Sequence, residues 1–402
     1  MKIGLIKEIK DSENRVGLTP DGVHQLITDG HRVYVERSAG RGSGFSDDDY
    51  VRCGAELCDV ASAWDSDLVV KVKEPLAAEY PYLREQMVFT YFHLAGVSPA
   101  LTRELLDRRT AAIAYETVEN AAGKLPLLAP MSAVAGNMAA SVGNHYLARP
   151  AGGKGTLLGR VLGSSYGKVV VIGDGIVGLH AAQVVAGIGA QLVIFGRHPE
   201  RESVLKRDVS PSLRYLPSEP DRIARELRDA DLVVGAVLIR GGRAPHVVSE
   251  AMVKDMQAGS VIVDVSVDQG GCIATSHPTT HSEPVFKLHG VTHYCVANMP
   301  GAYPRTSTLA LTSATLPYVR KLAADGLGSL HADAGLMRGL NTYQGHITCQ
   351  AVAGALGMDA PEEVRPAVHL DVRRRRQPYC PVGQRRRFAP SNTSLQPNAC
   401  QI

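Results

Sequence analysis

Residues 168–189, "KVVVIGDGIVGLHAAQVVAGIG", decide the fold. The run of valines and one isoleucine predicts a buried strand, and the small apolar residues after it predict a helix. Between them, Gly173, Gly175 and Gly178 have the G-x-G-x-x-G spacing. In such a unit the first glycine permits a tight turn, the second lets a pyrophosphate approach the backbone, and the third lets helix and strand pack closely. The stretch predicts a dinucleotide-binding βαβ unit; a plain glycine turn between core elements is the alternative.

Patterns on both sides extend this unit into a sheet. A helix pattern rich in Ala and Val, "SAVAGNMAASVGNHYLA" (132–148), precedes it. Four more strands are predicted after it, at "AQLVIFG" (190–196), "DLVVGAVL" (231–238), "SVIVDVS" (260–266) and "THYCVAN" (292–298). Because parallel strands are joined by crossovers, five such strands predict a doubly wound parallel sheet.

The chain before this unit also alternates strands and helices. Thr19 is predicted to cap a helix that starts at Pro20 and stops near Gly30. Apolar strand patterns lie at residues 2–8, 31–37, 67–75 and 87–95. They predict a second parallel sheet covered on both faces. From about Pro304 the pattern becomes helical again, and we expect this part to pack against the first domain.

The composition is that of a globular α/β protein. With 402 residues, 45% of them hydrophobic, and 40 glycines, the chain is long enough for two domains. The net charge of +3 comes from arginine runs within residues 372–388, without which the chain is slightly acidic. We expect no nucleic-acid or membrane partner from so local a charge, although nucleic-acid binding by the arginine runs is an alternative. Residues 371–402 are predicted to form a disordered tail.

The cysteines and the start of the chain bear on its compartment. The seven cysteines are odd in number and have no Cys-x-x-Cys or Cys/His metal spacing, which predicts reduced thiols and no metal site. The start, "MKIGLIKEIK", is too polar for a signal peptide, and no apolar run reaches about 18 residues. We therefore expect a cytoplasmic protein.

Several long segments match one known family in order along the chain. They include "KEIKDSENRVGLTPDGV" (7–23), "FTYFHLA" (89–95), "LPLLAPMSAVAG" (125–136), "GSVIVDVSVDQGGC" (259–272) and "HYCVANMPGAYPRTSTLALTSATLPY" (293–318). From residue 1 to about 358, the chain resembles the L-alanine dehydrogenase family, whose relatives are the transhydrogenase nucleotide domains. The resemblance implies reversible, nicotinamide-dependent oxidative deamination of L-alanine to pyruvate and ammonium, by a homohexamer.

The resemblance also implies how the domains are arranged. It implies an α/β fold with two Rossmann-like doubly wound domains. The nucleotide domain (129–304) is inserted between the two parts of a substrate domain (1–128 and 305–370), and the basic tail (371–402) follows.

Four residues carry the chemistry that this resemblance implies. Removal of hydride from an amino acid needs cations for the carboxylate and acid/base groups for the amine and water. Arg15 and Lys73 match the substrate-binding cations. His93, after an apolar strand, matches the acid/base histidine, and imidazole groups titrate near neutral pH. Asp268 matches the catalytic aspartate, and an Asx turn before two glycines is its alternative role. Asp264 is expected to cap or pair within the sheet.

The resemblance suggests further contacts to substrate and cofactor. Met131 and Asn298 are expected at the substrate. The alternative for the segments that contain them, 129–136 and 295–302, is that these residues only begin a helix or form a turn. Expected cofactor contacts, besides the three loop glycines, are Ser132, Gly196, Arg197, Arg201, Val237, Leu238, Val267, Val296 and Met299.

The cofactor prediction depends on the end of the strand at 190–196. The family has Asp where this chain has Gly196, and that aspartate accepts hydrogen bonds from the ribose hydroxyls and repels a 2′-phosphate. Arg197 and Arg201 follow, as charge-assisted donors for a 2′-phosphate or as solvated side chains. The chain is therefore expected to bind NAD or NADP, and Gly196 with Arg197 indicates acceptance of NADP. Asp174, inside the glycine turn, is expected to point to solvent.

Two departures from the family pattern leave the substrate open. Asn137 stands where the family often has Arg, and residues 159–167 replace a more usual loop. Both are expected near the domain junction. A related amino-acid or imino-acid dehydrogenase with another side-chain specificity, and a nucleotide-binding protein without turnover, are the alternatives.

Overall fold

A computed structural model describes residues 1–238 and 244–358. Its strands are β1 (Lys2–Leu5), β2 (Arg32–Glu36), β3 (Glu56–Cys58), β4 (Leu68–Val70), β5 (Met87–Thr90), β6 (Ala111–Ala114), β7 (Gly159–Val161), β8 (Ser164–Tyr166), β9 (Lys168–Ile172), β10 (Gln191–Gly196), β11 (Arg214–Pro217), β12 (Leu232–Gly235), β13 (Val261–Asp264), β14 (Val285–Leu288), β15 (Val291–Tyr294), β16 (Leu340–Tyr343) and β17 (His346–Ile347).

Most α-helices of the same residues lie between two strands along the chain. They are α1 (Pro20–Thr28), α2 (Asp47–Arg52), α3 (Val60–Trp64), α4 (Pro99–Asp107), α5 (Ala129–Leu147), α6 (Ile176–Ile188), α7 (Glu202–Asp208), α8 (Pro220–Leu227), α9 (Glu250–Lys254), α10 (Pro304–Asp325), α11 (Gly328–Ala332), α12 (Ala334–Met337) and α13 (Gln350–Leu356).

The first sheet has eight strands in the order β17-β16-β6-β5-β4-β1-β2-β3. The strands from β1 to β6 are parallel to their neighbours, whereas β16 is antiparallel to β6 and β17 is antiparallel to β16. The predicted helix after Pro304 is present as α10. The sequence pattern did not predict β16 and β17, which return the chain to the edge of the first sheet.

The second sheet has seven strands in the order β11-β10-β9-β12-β13-β15-β14. All pair in parallel except β14, which is antiparallel to β15 at the edge. The order 3-2-1-4-5 around the central β9 is that of a doubly wound nucleotide-binding sheet. The glycine turn therefore stands at the carboxyl end of the central strand. The predicted α/β fold with two Rossmann-like sheets is confirmed.

Both sheets bury their two faces in separate apolar clusters. In β4, Leu68 and Val70 belong to one cluster and Val69 belongs to the other, because successive side chains of a strand point to opposite faces. In β9, Val169 and Val170 divide between two clusters in the same way. This double coverage leaves the strand ends as the edge at which polar side chains gather.

Other local predictions have mixed outcomes. Thr19 caps α1 by accepting a hydrogen bond from the Gly22 amide at 3.2 Å, as predicted, and the helix ends at Thr28, just before Gly30. The predicted tail 371–402 lies outside the described residues, so it stays a prediction. The boundaries 1–128, 129–304 and 305–370 also remain predictions.

Candidate active site

A cavity of about 730 Å³ opens where the carboxyl ends of strands from both sheets come together. Residues after β4, β5, β13 and β15 contribute to its wall, as expected for open α/β sheets, in which ligands bind beyond the strand ends. The predicted site residues that line it are Arg15, Lys73, His93, Met131, Ser132, Val237, Leu238, Asp268, Val296, Asn298 and Met299. Residues nearly 300 positions apart in sequence thus share one wall.

Arg15 is buried and held by Glu13, which the sequence did not indicate. Nε and Nη2 of Arg15 donate to the two carboxylate oxygens of Glu13 at 2.7 and 2.5 Å. Nη2 also donates to Oδ1 of Asn298 at 2.7 Å, while Nη1 lies 3.0 Å from the Met131 sulfur. The Nε–Nη2 edge of the guanidinium is therefore occupied. A substrate carboxylate could contact only the Nη1 side and could not form the bidentate pair with Nε and Nη2.

Glu13 is expected to make the fold sensitive to acid. Burial would raise the pKa of Glu13, but the hydrogen bonds and charge of Arg15 lower it from 4.5 to about 2. A lowered carboxyl pKa stabilises the fold fully above pH 4.5, and this stability is lost as the pH falls towards 2. The shift corresponds to roughly 3 kcal/mol.

Glu13→Gln is expected to remove that part of the pH dependence of the unfolding free energy. Urea denaturation at about pH 6 and about pH 3 measures it. Glu85→Gln, which changes an exposed glutamate, is the matched control and is expected to behave as the wild type. Equal losses of stability on acidification in Glu13→Gln and wild type would contradict the proposed pairing.

Lys73 brings a buried ammonium group to the cavity. The residue is only 9% exposed, and its Nζ makes no hydrogen bond or ion pair within residues 1–238 and 244–358. Burial lowers the pKa of Lys73, the charge of Arg15 lowers it further, and the Asp268 carboxylate opposes this. A desolvated cation without a partner is costly, and an anionic ligand in the cavity could offset this cost.

His93 stands on a strained loop after β5. Its φ of 49° lies in the left-handed region, which non-glycine residues seldom adopt. Glu116 holds the loop by accepting hydrogen bonds from the amides of Phe92 at 3.3 Å and His93 at 2.6 Å. The imidazole stacks on Tyr91, and the His93 side chain is 42% exposed. Such strain is typical of functional positions because the surrounding structure must enforce it.

Asp268 and Asn298 complete the polar wall. Asp268 is exposed, and its carboxylate accepts a hydrogen bond from the Asn298 amide at 3.3 Å. Asn298 has a left-handed φ of 60° and also donates from its side chain to Glu13 at 2.9 Å. It therefore links Asp268 to the Glu13–Arg15 pair. Asp264 caps the turn after β13 by accepting from the amides of Ser266, Cys272 and Ile273, which confirms its predicted structural role.

The glycine turn fits a pyrophosphate. Gly173 has a φ of 113°, and a Cβ on Gly178 would lie 1.8 Å from the Gly173 carbonyl oxygen. A Cβ on Gly175, in contrast, would meet nothing within 4 Å, so the backbone there is open to a ligand. Helix α6 starts at Ile176, and Gly175 has no side chain to cap its first amides. Those amides and the helix dipole favour a phosphate group.

The corner at the end of β10 differs from expectation. Asp174 does not point to solvent: its side chain is 12% exposed, 3.4 Å from Nη1 of Arg201 and 3.1 Å from the Tyr215 hydroxyl. Arg201 also donates to the Asp174 carbonyl. Arg197 is exposed and makes no ion pair or hydrogen bond within the part of the chain that the structure describes. The two arginines therefore differ in availability.

Several predicted positions lie away from the cavity. Val267 is buried and does not line it. Asn137 is exposed on α5, where its amide donates to the Ala133 carbonyl at 2.8 Å. Residues 159–166 form the hairpin of β7 and β8, whose tip residue Leu162 is fully exposed. Neither Asn137 nor the hairpin lines the cavity. Their positions therefore do not support the expected influence on the substrate pocket.

The remaining features concern metals, thiols and membranes. Within residues 1–238 and 244–358, no group of three or more His, Cys, Asp or Glu is arranged to hold a metal ion. The cysteines in these residues are free thiols. None of the helices in the described ranges has the length and apolar character needed to traverse a bilayer.

Comparison with known proteins points to one family. The "Alanine dehydrogenase/PNT, N-terminal domain" profile matches residues 4–135, and the "Alanine dehydrogenase/PNT, C-terminal domain" profile matches residues 139–350. "Alanine dehydrogenase 2" of Staphylococcus aureus (strain MRSA252) is 50% identical over 92% of this chain and 100% of its own length. "Alanine dehydrogenase" of Bacillus subtilis (strain 168) is 51% identical over 89% of this chain and 96% of its own.

Solved structures agree with these matches. A structure titled "L-alanine dehydrogenase" is 47% identical, superposes with a TM-score of 0.85 and covers 89% of this chain and 99% of that one. A transhydrogenase from Sinorhizobium meliloti, 22% identical with a TM-score of 0.76 over 86% of this chain and all of that one, shares the fold. The chain thus belongs to the alanine dehydrogenase/PNT family.

Proposed function

We propose that the protein catalyses the reversible oxidative deamination of L-alanine to pyruvate and ammonium with a pyridine nucleotide. Relatives at about half identity over most of the chain are named alanine dehydrogenase, which supports this activity. The observation that carries the proposal is the Lys73 ammonium, which is 9% exposed, without a partner in the described residues, and in one cavity with His93 and Asp268.

Substrate capture is assigned to the two cations. The alanine carboxylate binds the Lys73 ammonium and the Nη1 edge of Arg15, because charge-assisted hydrogen bonds are strongest where water is excluded. Glu13 holds the other edge of Arg15 and so fixes its orientation. Asn298 and Met131 contact the same guanidinium and restrict its movement.

Acid/base work is assigned to His93 and Asp268. The glycine turn would hold a pyridine nucleotide, which would supply the acceptor for the hydride that leaves the substrate Cα. His93 and Asp268 hold a water against the resulting iminium carbon and take up its proton as the C–O bond forms. The proton is returned to nitrogen, and the C–N bond breaks as the hydroxyl gives up its own proton to form the carbonyl of pyruvate. Overall, L-alanine, NAD⁺ and water give pyruvate, ammonium, NADH and a proton. The glycine turn, Ser132, Val237, Leu238, Val296 and Met299 are the proposed cofactor contacts.

The finer cofactor preference depends on the β10 corner. NADP acceptance was expected from Gly196, Arg197 and Arg201. Arg201 is paired with Asp174, whereas Arg197 is exposed and without a partner in the described residues. We propose that NAD is preferred and that Arg197 supports weaker NADP acceptance.

Rates with a series of 2-oxo acids test the substrate. With ammonium and NADH, kcat/KM is expected to be highest for pyruvate and to fall with each larger side chain. A maximum at another 2-oxo acid would favour a related amino-acid dehydrogenase. Nucleotide binding without turnover on any of them would favour a non-catalytic protein.

The setting of the enzyme is also a proposal. The family resemblance supports a homohexamer, and the cysteine content and chain composition support a cytoplasmic location. We propose a nucleotide domain of residues 129–304 between substrate-domain parts at 1–128 and 305–370. Small-molecule substrates are the expected partners.

A further inference from the structure

Four residues lie in contact with one another at the end of β10. This β10 corner consists of Asp174, Gly196, Arg201 and Tyr215. The Tyr215 hydroxyl lies 3.1 Å from Oδ2 of Asp174, and Arg201 reaches the same oxygen at 3.4 Å. The Tyr215 hydroxyl also accepts from the His198 amide at 3.1 Å, which ties the corner to the turn after β10.

A side chain at position 196 would meet two other side chains of the corner. A Cβ on Gly196 would lie 2.1 Å from the Tyr215 hydroxyl oxygen and 2.8 Å from Cγ of Asp174. The space that a strand-end side chain would enter is therefore held by Tyr215 and by the carboxylate of Asp174. The Asp174 carboxylate therefore lies beside position 196, where the family has its aspartate.

The charges of the corner are arranged in a definite order. Oδ2 of Asp174 faces Nη1 of Arg201 and the Tyr215 hydroxyl, which shares its one hydrogen between this oxygen and the His198 carbonyl at 3.0 Å. Oδ1 makes no hydrogen bond within the described ranges. Oδ1 is thus available to a hydroxyl donor. Nη1 of Arg201 is held by the carboxylate and the carbonyl oxygen of Asp174, which draws this cation away from an incoming phosphate. A carboxylate at this place also repels a phosphate.

We propose that Asp174 replaces the missing strand-end acid as the acceptor for the adenine-ribose hydroxyls and, by holding Arg201, makes the chain select NAD over NADP. This inference rests on the proposed nucleotide-dependent function and names its selectivity residue. Loss of the Asp174 carboxylate removes the acceptor, removes the repulsion and releases Arg201 beside the exposed Arg197. One substitution therefore acts on both nucleotides in opposite directions.

Binding measurements test this without turnover. The dissociation constants of NADH, NADPH, ADP-ribose and 2′-phospho-ADP-ribose are measured by titration calorimetry for wild type, Asp174→Ala and Asp174→Asn. Wild type is expected to bind NADH at least about 10-fold more tightly than NADPH, because hydrogen bonds to a charged acceptor are strong. Asp174→Ala is expected to weaken NADH and strengthen NADPH, which shifts their ratio by about 100-fold or more.

Two further variants separate recognition from structure. Asp174→Asn keeps a hydrogen-bond acceptor for Tyr215 but lacks the charge, so it is expected to shift the ratio by at least about 10-fold. Glu200→Ala removes an exposed carboxylate from the same turn and is expected to leave the ratio unchanged. Equal ratios in wild type and both Asp174 variants, or a wild type that binds NADPH more tightly, would overturn the proposal.

The outcome is independent of the substrate assignment. An Asp174-dependent ratio in a protein that does not reduce pyruvate would support this inference and contradict the proposed function. Pyruvate reduction with a ratio that ignores Asp174 would support the function and contradict this inference.

Discussion

His93→Ala is expected to lower kcat for alanine oxidation by roughly 100- to 10,000-fold, the usual contribution of a positioned acid/base group. The imidazole lines the cavity with Asp268 and Lys73, and Glu116 fixes its loop through two amide hydrogen bonds. Nucleotide affinity is expected to stay near wild type, because His93 lies outside the glycine turn. Stopped-flow and steady-state rates, with NADH titration, measure both.

The backbone strain at His93 needs its own control. Alanine adopts the φ of 49° less readily than asparagine does, so His93→Asn tests the chemistry in a residue that tolerates this conformation. His24→Ala removes an exposed histidine on α1 and is expected to have no effect. Partial recovery of His93→Ala by added imidazole would show a proton-transfer role. A near-normal kcat in folded His93→Asn would rule out the assignment.

Lys73→Met is expected to raise the KM for pyruvate by at least about 30-fold, because the partner of a buried charge pair contributes 2 kcal/mol or more. Methionine preserves the length of the side chain while removing the charge. NADH affinity is expected to be unchanged. The variant is also expected to be at least as stable as wild type, since a desolvated ammonium without a partner in the described residues is lost.

The pH dependence of pyruvate affinity gives a second test of Lys73. Burial lowers the pKa of this lysine, so its charged form is lost at a lower pH than for an ordinary lysine. Pyruvate affinity is therefore expected to weaken as the pH rises, and Lys73→Met should lack this dependence. Lys7→Met, which alters an exposed lysine, is the control. Unchanged kcat/KM for pyruvate in Lys73→Met would exclude the substrate-binding role.

The sequence predicted the central elements of the fold because their patterns are local. The valine run of β9 and the glycine spacing before α6 specify a strand–turn–helix unit without reference to distant residues. Other strands were missed for physical reasons. β6, "AAIA", consists mostly of residues with low strand propensity, and β11 ends in Pro217. β16 and β17 acquire their strand character by pairing with the edge strand β6.

The sequence predicted single residues that line the cavity but not how their side chains pair. Lys73 and His93 lie near the ends of predicted strands and Asp268 follows one, which are local signals. The hold of Glu13 on Arg15 was missed because nothing in "ENRVGLTP" says which way either side chain turns. The prediction that Asp174 points to solvent was wrong because its orientation depends on Tyr215, which lies 41 residues later. Long-range polar partners of this kind require the fold.

The most direct test of the proposed function is the initial rate of NADH oxidation with pyruvate and ammonium together, and with each omitted in turn. Oxidation that requires both, with L-alanine as the product, is the predicted result. No oxidation in folded wild-type protein that binds NADH, or oxidation that does not require ammonium, would contradict the proposal that this cavity deaminates alanine.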